Sequence, residues 1–165
     1  MQKSYERAKA ISYSNRWALG RNPLYYDYSN LGGDCTNFIS QCIYAGSGVM
    51  NYTPTWGWYY IDANRKAPAW TGVEYLYRFL TRSEKSPGPY GEQVNIGDIE
   101  PGDIIQLAFD EKGNFGHSLF IVECGAIPDI NNIFINTHSY DRLRYPLNQY
   151  HWSRIRFIKI LGVRV

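Results

Sequence analysis

The sequence lacks the features that mark several classes of protein. Its 17 Lys and Arg nearly balance 15 Asp and Glu, which leaves a formal charge of +2, whereas nucleic-acid modules usually carry a strong basic excess. No run approaches the roughly 18 apolar residues of a membrane-spanning helix. The opening residues MQKSYERAKA have no apolar core of the kind found in secretory signal peptides. We therefore expect a globular domain with no nucleic-acid partner and no transmembrane segment.

Cysteine is also scarce, with three residues at Cys35, Cys42 and Cys124. An odd number without close pairs does not predict a disulfide framework. The first two lack the short spacing of a zinc-binding pair, and no second pair follows. No glycine-rich phosphate loop is present either. The sequence thus predicts no metal and no cofactor, and each thiol is expected to be either buried in the core or reactive.

Aromatic residues, in contrast, are abundant. They make up 16% of the chain, including 15 Tyr and 5 Trp, whereas a disordered chain has few aromatic residues and more net charge. The 165 residues contain no internal repeat, low-complexity tract or charge block. This predicts one domain over residues 1–165.

The first half of the chain favours helices. Apolar spacing, capping residues and glycine stops predict helices over Ser4–Gly20, 34–46 and Gly72–Leu80. Asp34 is expected to cap the second of these, and Gly46 to end it. Segments 47–70 and 83–91 are rich in turn residues and are predicted to be loops.

The second half favours strands. Apolar runs separated by turn residues predict strands over 104–109, 117–124, 133–138 and 154–165. Helices first and hairpin-linked strands second predict an α+β fold, with N-terminal helices packed on a C-terminal antiparallel sheet.

Cys35 is the thiol whose position favours chemistry. It is predicted at the first position of the second helix, where unpaired N–H groups and the helix dipole stabilise a thiolate. Those N–H groups also suit an oxyanion hole, and the preceding Gly32 and Gly33 allow close approach of a substrate. A neighbouring carboxylate at Asp34 acts in the opposite direction unless it caps the helix. The alternative is that Cys35 is only the first residue of the helix's apolar face. Cys42, further along the same face, is expected to be buried in the core.

Two histidines are candidate partners for this thiol. His117 opens an apolar strand, where an unpaired imidazole is costly to bury. His138 ends the next predicted strand, with Asn136 two residues earlier and therefore on the same face. A nucleophile, a base and an orienting polar group are what a thiol enzyme requires. A structural hydrogen bond is the alternative explanation for each histidine.

The segment GGDCTNFISQCIYAGS, preceded by RNPLYYDY, closely resembles the signature of the bacterial putative amidase domain family. That family belongs to the papain-like cysteine peptidase superfamily, beside the NlpC-type and CHAP cell-wall peptidases. The segments PGDIIQ, GHSLFIV and INTHSYDRLRYPL extend the resemblance from Tyr5 to about Leu147. A papain-like or NlpC-like fold is what the resemblance implies.

The resemblance also implies roles for individual residues. Cys35 is the expected nucleophile, His117 its base, and His138 the residue that orients the base, with Asn136 as the rival. Asp141 matches a family position without a defined role. The implied reaction is attack on an amide carbonyl, formation of a thioester, and hydrolysis.

The implied substrate is peptide of the bacterial cell wall, that is, peptidoglycan. Relatives commonly carry an export signal or a wall-binding module, and this sequence shows neither. The location is therefore unassigned, with the cell exterior, the wall or a spore expected if the sequence is a trimmed domain.

The aromatic loop after the second helix is the candidate side of a substrate-binding cleft. Trp56 and Trp58 are the residues expected to contact the substrate. The alternative is that these rings close a second small core. Two other functions stay open: a non-catalytic module that binds wall carbohydrate or peptide through this loop, and an acyltransferase that uses the same thiol.

Overall fold

The computed structural model describes residues 1–165 and confirms N-terminal helices followed by a mainly antiparallel sheet. The helices are α1 (Arg7–Trp17), α2 (Cys35–Ser47), α3 (Pro68–Thr71) and α4 (Val73–Leu80). The strands are β1 (Gln2–Lys3), β2 (Tyr60–Asp62), β3 (Arg65–Lys66), β4 (Gly88–Val94), β5 (Ile104–Ala108), β6 (His117–Glu123), β7 (Phe134–Thr137), β8 (Arg142–Pro146) and β9 (Arg154–Arg164). None of the helices has the length and apolar character needed to cross a membrane.

The main sheet has seven strands, and β9 is its organising strand. The order is β1-β9-β5-β6-β7-β8, and β4 also pairs with β9. Every pairing is antiparallel, as expected for strands joined by hairpin-length connections. The small β2–β3 hairpin lies outside this sheet.

Both faces of the sheet are covered, which explains why every residue of the central strand β5 is buried. In β5, Ile104 packs in the core beneath the helices, whereas Ile105 and Leu107 pack in a second core on the opposite face. In β6, Phe120 lies on the helix side and Leu119 on the other. Side chains of a strand alternate between faces, so these neighbours fall into two cores.

The structure corrects the predicted bounds at several places. β4 begins in the predicted loop 83–91 and continues to Val94, because its edge pairing with β9 tolerates glycine and proline better than a central strand does. β8 is an exposed edge strand with little apolar signal. α1 begins at Arg7, not Ser4, and α2 continues through Gly46 to a left-handed Gly48 with φ of 66°.

Candidate active site

The first turn of α2 lies over the end of the sheet where β6 begins. The Oγ atoms of Thr36 and Ser118 are 3.0 Å apart, and the Ser118 backbone lies near enough to the Cys35 thiol to lower the pKa of that thiol. Cys35 therefore lies beside the residue that follows His117. Gly32 and Gly33, with φ of 87° and 105°, form the tight approach to this turn.

The Cys35 thiol is nearly enclosed, with 8% of the residue exposed. Burial raises the pKa of the Cys35 thiol, while hydrogen bonds from Ser118 and Thr36 act to lower it, and Asp34 contributes a further small rise. Cys42 is fully buried in the helix core, and burial raises the pKa of its thiol well above the usual value. Cys124 directly follows β6 and is half-buried.

The backbone at the start of α2 offers a hydrogen-bond donor. Cys35 is the first helical residue, so its N–H has no acceptor within the helix, and no other group of the chain accepts from it. A free N–H next to a thiol is the geometry required of one oxyanion-hole donor.

His117 begins β6 with a buried but unengaged imidazole. Its ring lies between Phe109 and Tyr150, with centroid separations of 6.2 and 6.0 Å. No hydrogen bond within the chain involves either ring nitrogen, and burial alone lowers the pKa of His117 to about 4. The ring is therefore neutral at pH 7, with a lone pair available for a proton.

A cavity of about 480 Å³ opens beside His117. Aromatic side chains supply much of its wall, and Arg142 lines it without an ion-pair partner. The contributing rings are Phe109, Tyr140, Tyr145 and Tyr150. Burial raises the pKa of Tyr150 to about 12, with a smaller contribution from the nearby Cys35 thiol. The cavity thus adjoins His117, and Tyr150 connects it to the Cys35 thiol, which does not itself line the cavity.

The turn between β7 and β8 closes this side of the cavity in a strained conformation. Ser139 and Tyr140 have φ of 66° and 62°, values that non-glycine residues rarely adopt. The Ser139 Oγ accepts a hydrogen bond from the Asp34 N–H at 3.3 Å. Strain of this kind is concentrated at functional sites.

His138 does not contact His117. Its Nδ1 lies 2.6 Å from Asp34 Oδ2, and its Nε2 lies 2.8 Å from the Trp17 carbonyl oxygen. The expectation that His138 orients the base is therefore not met in this geometry.

Asn136 does not reach His117 either. Its amide donates to Ser14 and Asn15, and its carbonyl accepts from the Arg144 N–H. The pairing of Phe120 with Asn136 explains both outcomes, because it places Asn136 and His138 on the helix-facing side of the sheet.

Arg21 is the residue of this site that sequence reasoning missed, and Asp34 makes contacts that the sequence did not predict. Asp34 occupies the predicted N-cap position of α2, but its buried carboxylate makes no capping hydrogen bond to the helix backbone. It accepts instead from the Tyr28 N–H at 2.8 Å and from the Asn37 amide at 2.9 Å. Arg21 donates two hydrogen bonds to Asp141, at 2.8 and 3.0 Å. The GGDC segment signals Asp34, but no local pattern signals Arg21.

The two tryptophans expected at the substrate have different environments. Trp58 is fully buried and donates its indole N–H to Ser40 at 3.0 Å. The prediction of a substrate contact at Trp58 is therefore wrong, because the ring fills the core under its loop. Trp56 is 59% exposed, stands 5.9 Å from Tyr75, and lines a separate hollow of about 560 Å³.

Two further observations concern ligands. The largest hollow, about 780 Å³, runs along the outer face of α1 and contains none of the candidate catalytic residues. No group of three or more His, Cys, Asp or Glu side chains is arranged to hold a metal ion.

Comparison with known proteins places the chain in a family. The model of the putative amidase domain matches residues 4–161. The Bacillus subtilis (strain 168) protein described as "Uncharacterized protein YhbB" is 31% identical over 146 residues, which are 86% of this chain and 44% of that protein. The chain thus spans less than half the length of this relative. No solved structure matches.

The family match covers nearly all of the folded chain, including the Cys35 turn and the start of β6. The family description suggests amide hydrolysis. A thiol at the start of a helix that packs on the strand begun by a neutral histidine is compatible with that class of reaction. The chain belongs to the putative amidase domain family.

Proposed function

We propose that the protein is a cysteine-dependent hydrolase of amide bonds with a papain-like arrangement of its catalytic groups. One observation carries the proposal: the Cys35 thiol and its free N–H meet the beginning of the strand whose first residue, His117, has an unengaged ring. Nucleophile, oxyanion donor and base thus come from two elements that pack directly on each other.

The proposed reaction begins with Cys35 and His117 both uncharged. His117 accepts the thiol proton as the sulfur attacks the amide carbonyl carbon, and the Cys35 N–H donates to the developing oxyanion. Collapse breaks the C–N bond, and His117 returns the proton to the leaving amine. A water molecule then attacks the thioester while His117 takes its proton. Release of the carboxylic acid restores the thiol.

We propose bacterial cell-wall peptide as the substrate class. The resemblance to wall peptidases supports this proposal, and so does the cavity beside His117, whose aromatic walls suit peptide or sugar. Arg142 adds an unpaired positive charge for the carboxylates of such peptides.

Substitution of the two catalytic groups tests the proposal. Cys35→Ala and His117→Ala are each expected to lower hydrolysis of purified peptidoglycan fragments by at least about 10³-fold. Product release is measured by chromatography, and circular dichroism confirms folding. Cys124→Ala is the matched thiol control and retains activity. Full activity in Cys35→Ala would overturn the assignment.

A second candidate function is binding to wall carbohydrate or peptide through the hollow beside α4. The exposed ring of Trp56 and its neighbour Tyr75 form an aromatic surface there, with Arg78 alongside. Aromatic faces of this kind support ligand stacking. An acyltransferase that uses the same thioester is distinguished from a hydrolase by product analysis with an added amine.

A further inference from the structure

His138 and Asp34 form a buried pair directly behind the candidate nucleophile. The two side chains are almost fully enclosed, and His138 Nδ1 lies 2.6 Å from Asp34 Oδ2. A carboxylate accepts but does not donate, so Nδ1 carries the proton of this hydrogen bond. Asp34 immediately precedes Cys35, and this contact therefore acts on the turn that carries the thiol.

The His138 ring is fixed from two further directions. It stacks on Phe38, which lies in the first turn of α2, with a centroid separation of 4.0 Å and an interplanar angle of 19°. Its Nε2 lies 2.8 Å from the Trp17 carbonyl oxygen at the end of α1. The ring thereby ties the beginning of α2 to the end of α1.

Arg21 adds a cation on the same side. Its Nε lies 3.6 Å from Asp34 Oδ2, and one guanidinium nitrogen lies 3.2 Å from His138 Nε2. The guanidinium is held by Asp141, with Asp27 at 3.1 Å from Nε. The charged groups that face the His138–Asp34 pair are therefore Arg21 and, on the far side of its guanidinium, the carboxylates of Asp27 and Asp141.

We propose that His138 is a positioning residue for the nucleophile, acting through Asp34 and not through His117. The inference rests on the proposed role of Cys35. In this arrangement His138 holds the Asp34 carboxylate away from the thiol and fixes the turn that presents the Cys35 N–H. The His138 ring donates a charge-assisted hydrogen bond to the buried Asp34 carboxylate. Without that bond, the negative charge of Asp34 disfavours the Cys35 thiolate more strongly.

Alkylation by iodoacetamide provides a test that needs no substrate. Peptide mapping by mass spectrometry gives the rate at each thiol as a function of pH. His138→Leu is expected to slow alkylation of Cys35 roughly tenfold at pH 7, because the turn loosens and Asp34 loses its donor. The pH profile of Cys35 alkylation is expected to shift upward. Tyr52→Leu, which replaces an exposed aromatic ring outside the cavity beside His117, leaves rate and profile unchanged.

Conservative variants separate this role from general stability. The side-chain amide of Asn places its nitrogen where Nδ1 stands, whereas that of Gln reaches the position of Nε2. His138→Asn is therefore expected to restore Cys35 alkylation to within about threefold of the wild-type rate, and His138→Gln to stay slow. This comparison also decides the matter if His138→Leu does not fold. Equal rates for the Asn and Gln variants would overturn the inference.

A double-mutant cycle identifies the partner. If His138 acts through Asp34, adding His138→Leu to Asp34→Asn causes little further loss in the alkylation rate. If the two single-variant reductions in the alkylation rate multiply in the double variant, His138 and Asp34 act independently, and this would contradict the proposal. Wild-type protein that does not hydrolyse peptidoglycan fragments would instead count against the proposed function.

Discussion

At the residue scale, the candidate site depends on two groups whose pKa values are shifted apart by burial. Burial raises the pKa of the Cys35 thiol and lowers that of His117 to about 4. The uncharged forms of both groups are therefore favoured at neutral pH, and no preformed thiolate–imidazolium pair is expected. Proton transfer from sulfur to nitrogen must then accompany attack on the substrate.

The pH dependence of hydrolysis follows from the shifted histidine. His117 accepts a proton only when neutral, so kcat/KM is expected to fall as pH decreases through about 4 and not through the usual 6.5. The measurement is kcat/KM on soluble wall peptides from pH 3.5 to 8, with circular dichroism at each pH. An acid limb near 6.5 in folded protein would contradict the buried, unengaged His117.

At the element scale, the position of Cys35 depends on how closely α2 packs against α1. Gly46 lies in the last turn of α2, where this helix approaches α1 and the residues just before it. A Cβ at this position would stand 2.6 Å from a ring carbon of Tyr5, 2.9 Å from the Glu6 carbonyl oxygen and 3.1 Å from Ala10 Cβ. The glycine therefore permits the helix contact that helps to place the nucleophile turn over β6.

Gly46→Ala is expected to destabilise the protein by about 2 kcal/mol, the usual range for overpacking. Helix propensity alone predicts the reverse, since alanine is favoured over glycine by about 1 kcal/mol inside a helix. Urea unfolding followed by tryptophan fluorescence measures the change. Gly97→Ala is the control, because nothing lies within 4 Å of its added Cβ. Equal free energies of unfolding for the two variants would show that α1 and α2 move apart to accept the added Cβ without loss of stability.

At the scale of the whole molecule, the chain's beginning is anchored to its end and middle. Arg7 donates to Asp103 at 2.8 Å and to the Ile160 carbonyl oxygen at 2.7 Å, and Tyr5 donates to the Gly102 carbonyl oxygen. These contacts fix α1 on the sheet. The cavity beside His117 and the hollow beside α4 share no lining residue.

Because the hollow beside α4 and the cavity beside His117 are separate, a substitution in the hollow is expected to change wall binding without changing hydrolysis. Trp56→Ala is expected to reduce retention of the protein on insoluble peptidoglycan by at least about fivefold, because truncating an aromatic stacking residue costs on the order of 1 kcal/mol or more. Hydrolysis of short soluble peptides is expected to stay unchanged. Tyr52→Ala is the control, since this exposed ring lies outside the hollow. Unchanged retention in Trp56→Ala would remove the binding role.

Much of the fold could be predicted from local patterns. Apolar spacing and turn residues indicate α2, α4, β5, β6 and β9, because helix and strand periodicities are written within a dozen residues. β4 and β8 are not indicated, since edge strands formed by polar and glycine-containing segments acquire their structure from pairing with a neighbour. Trp58 is likewise indistinguishable from Trp56 in sequence, and only the loop's closure buries one of them.

The sequence by itself determined the position of Cys35 at a helix start and of His117 at a strand start, because both follow from neighbouring residues. It also placed Asn136 and His138 on one face of the predicted strand over 133–138. Which face that is depends on the register between β6 and β7, and the pairing of Phe120 with Asn136 turns both side chains toward the helices. Tertiary structure alone therefore decided that His138 meets Asp34 and leaves His117 free, because a strand's alternation is local and its pairing is not.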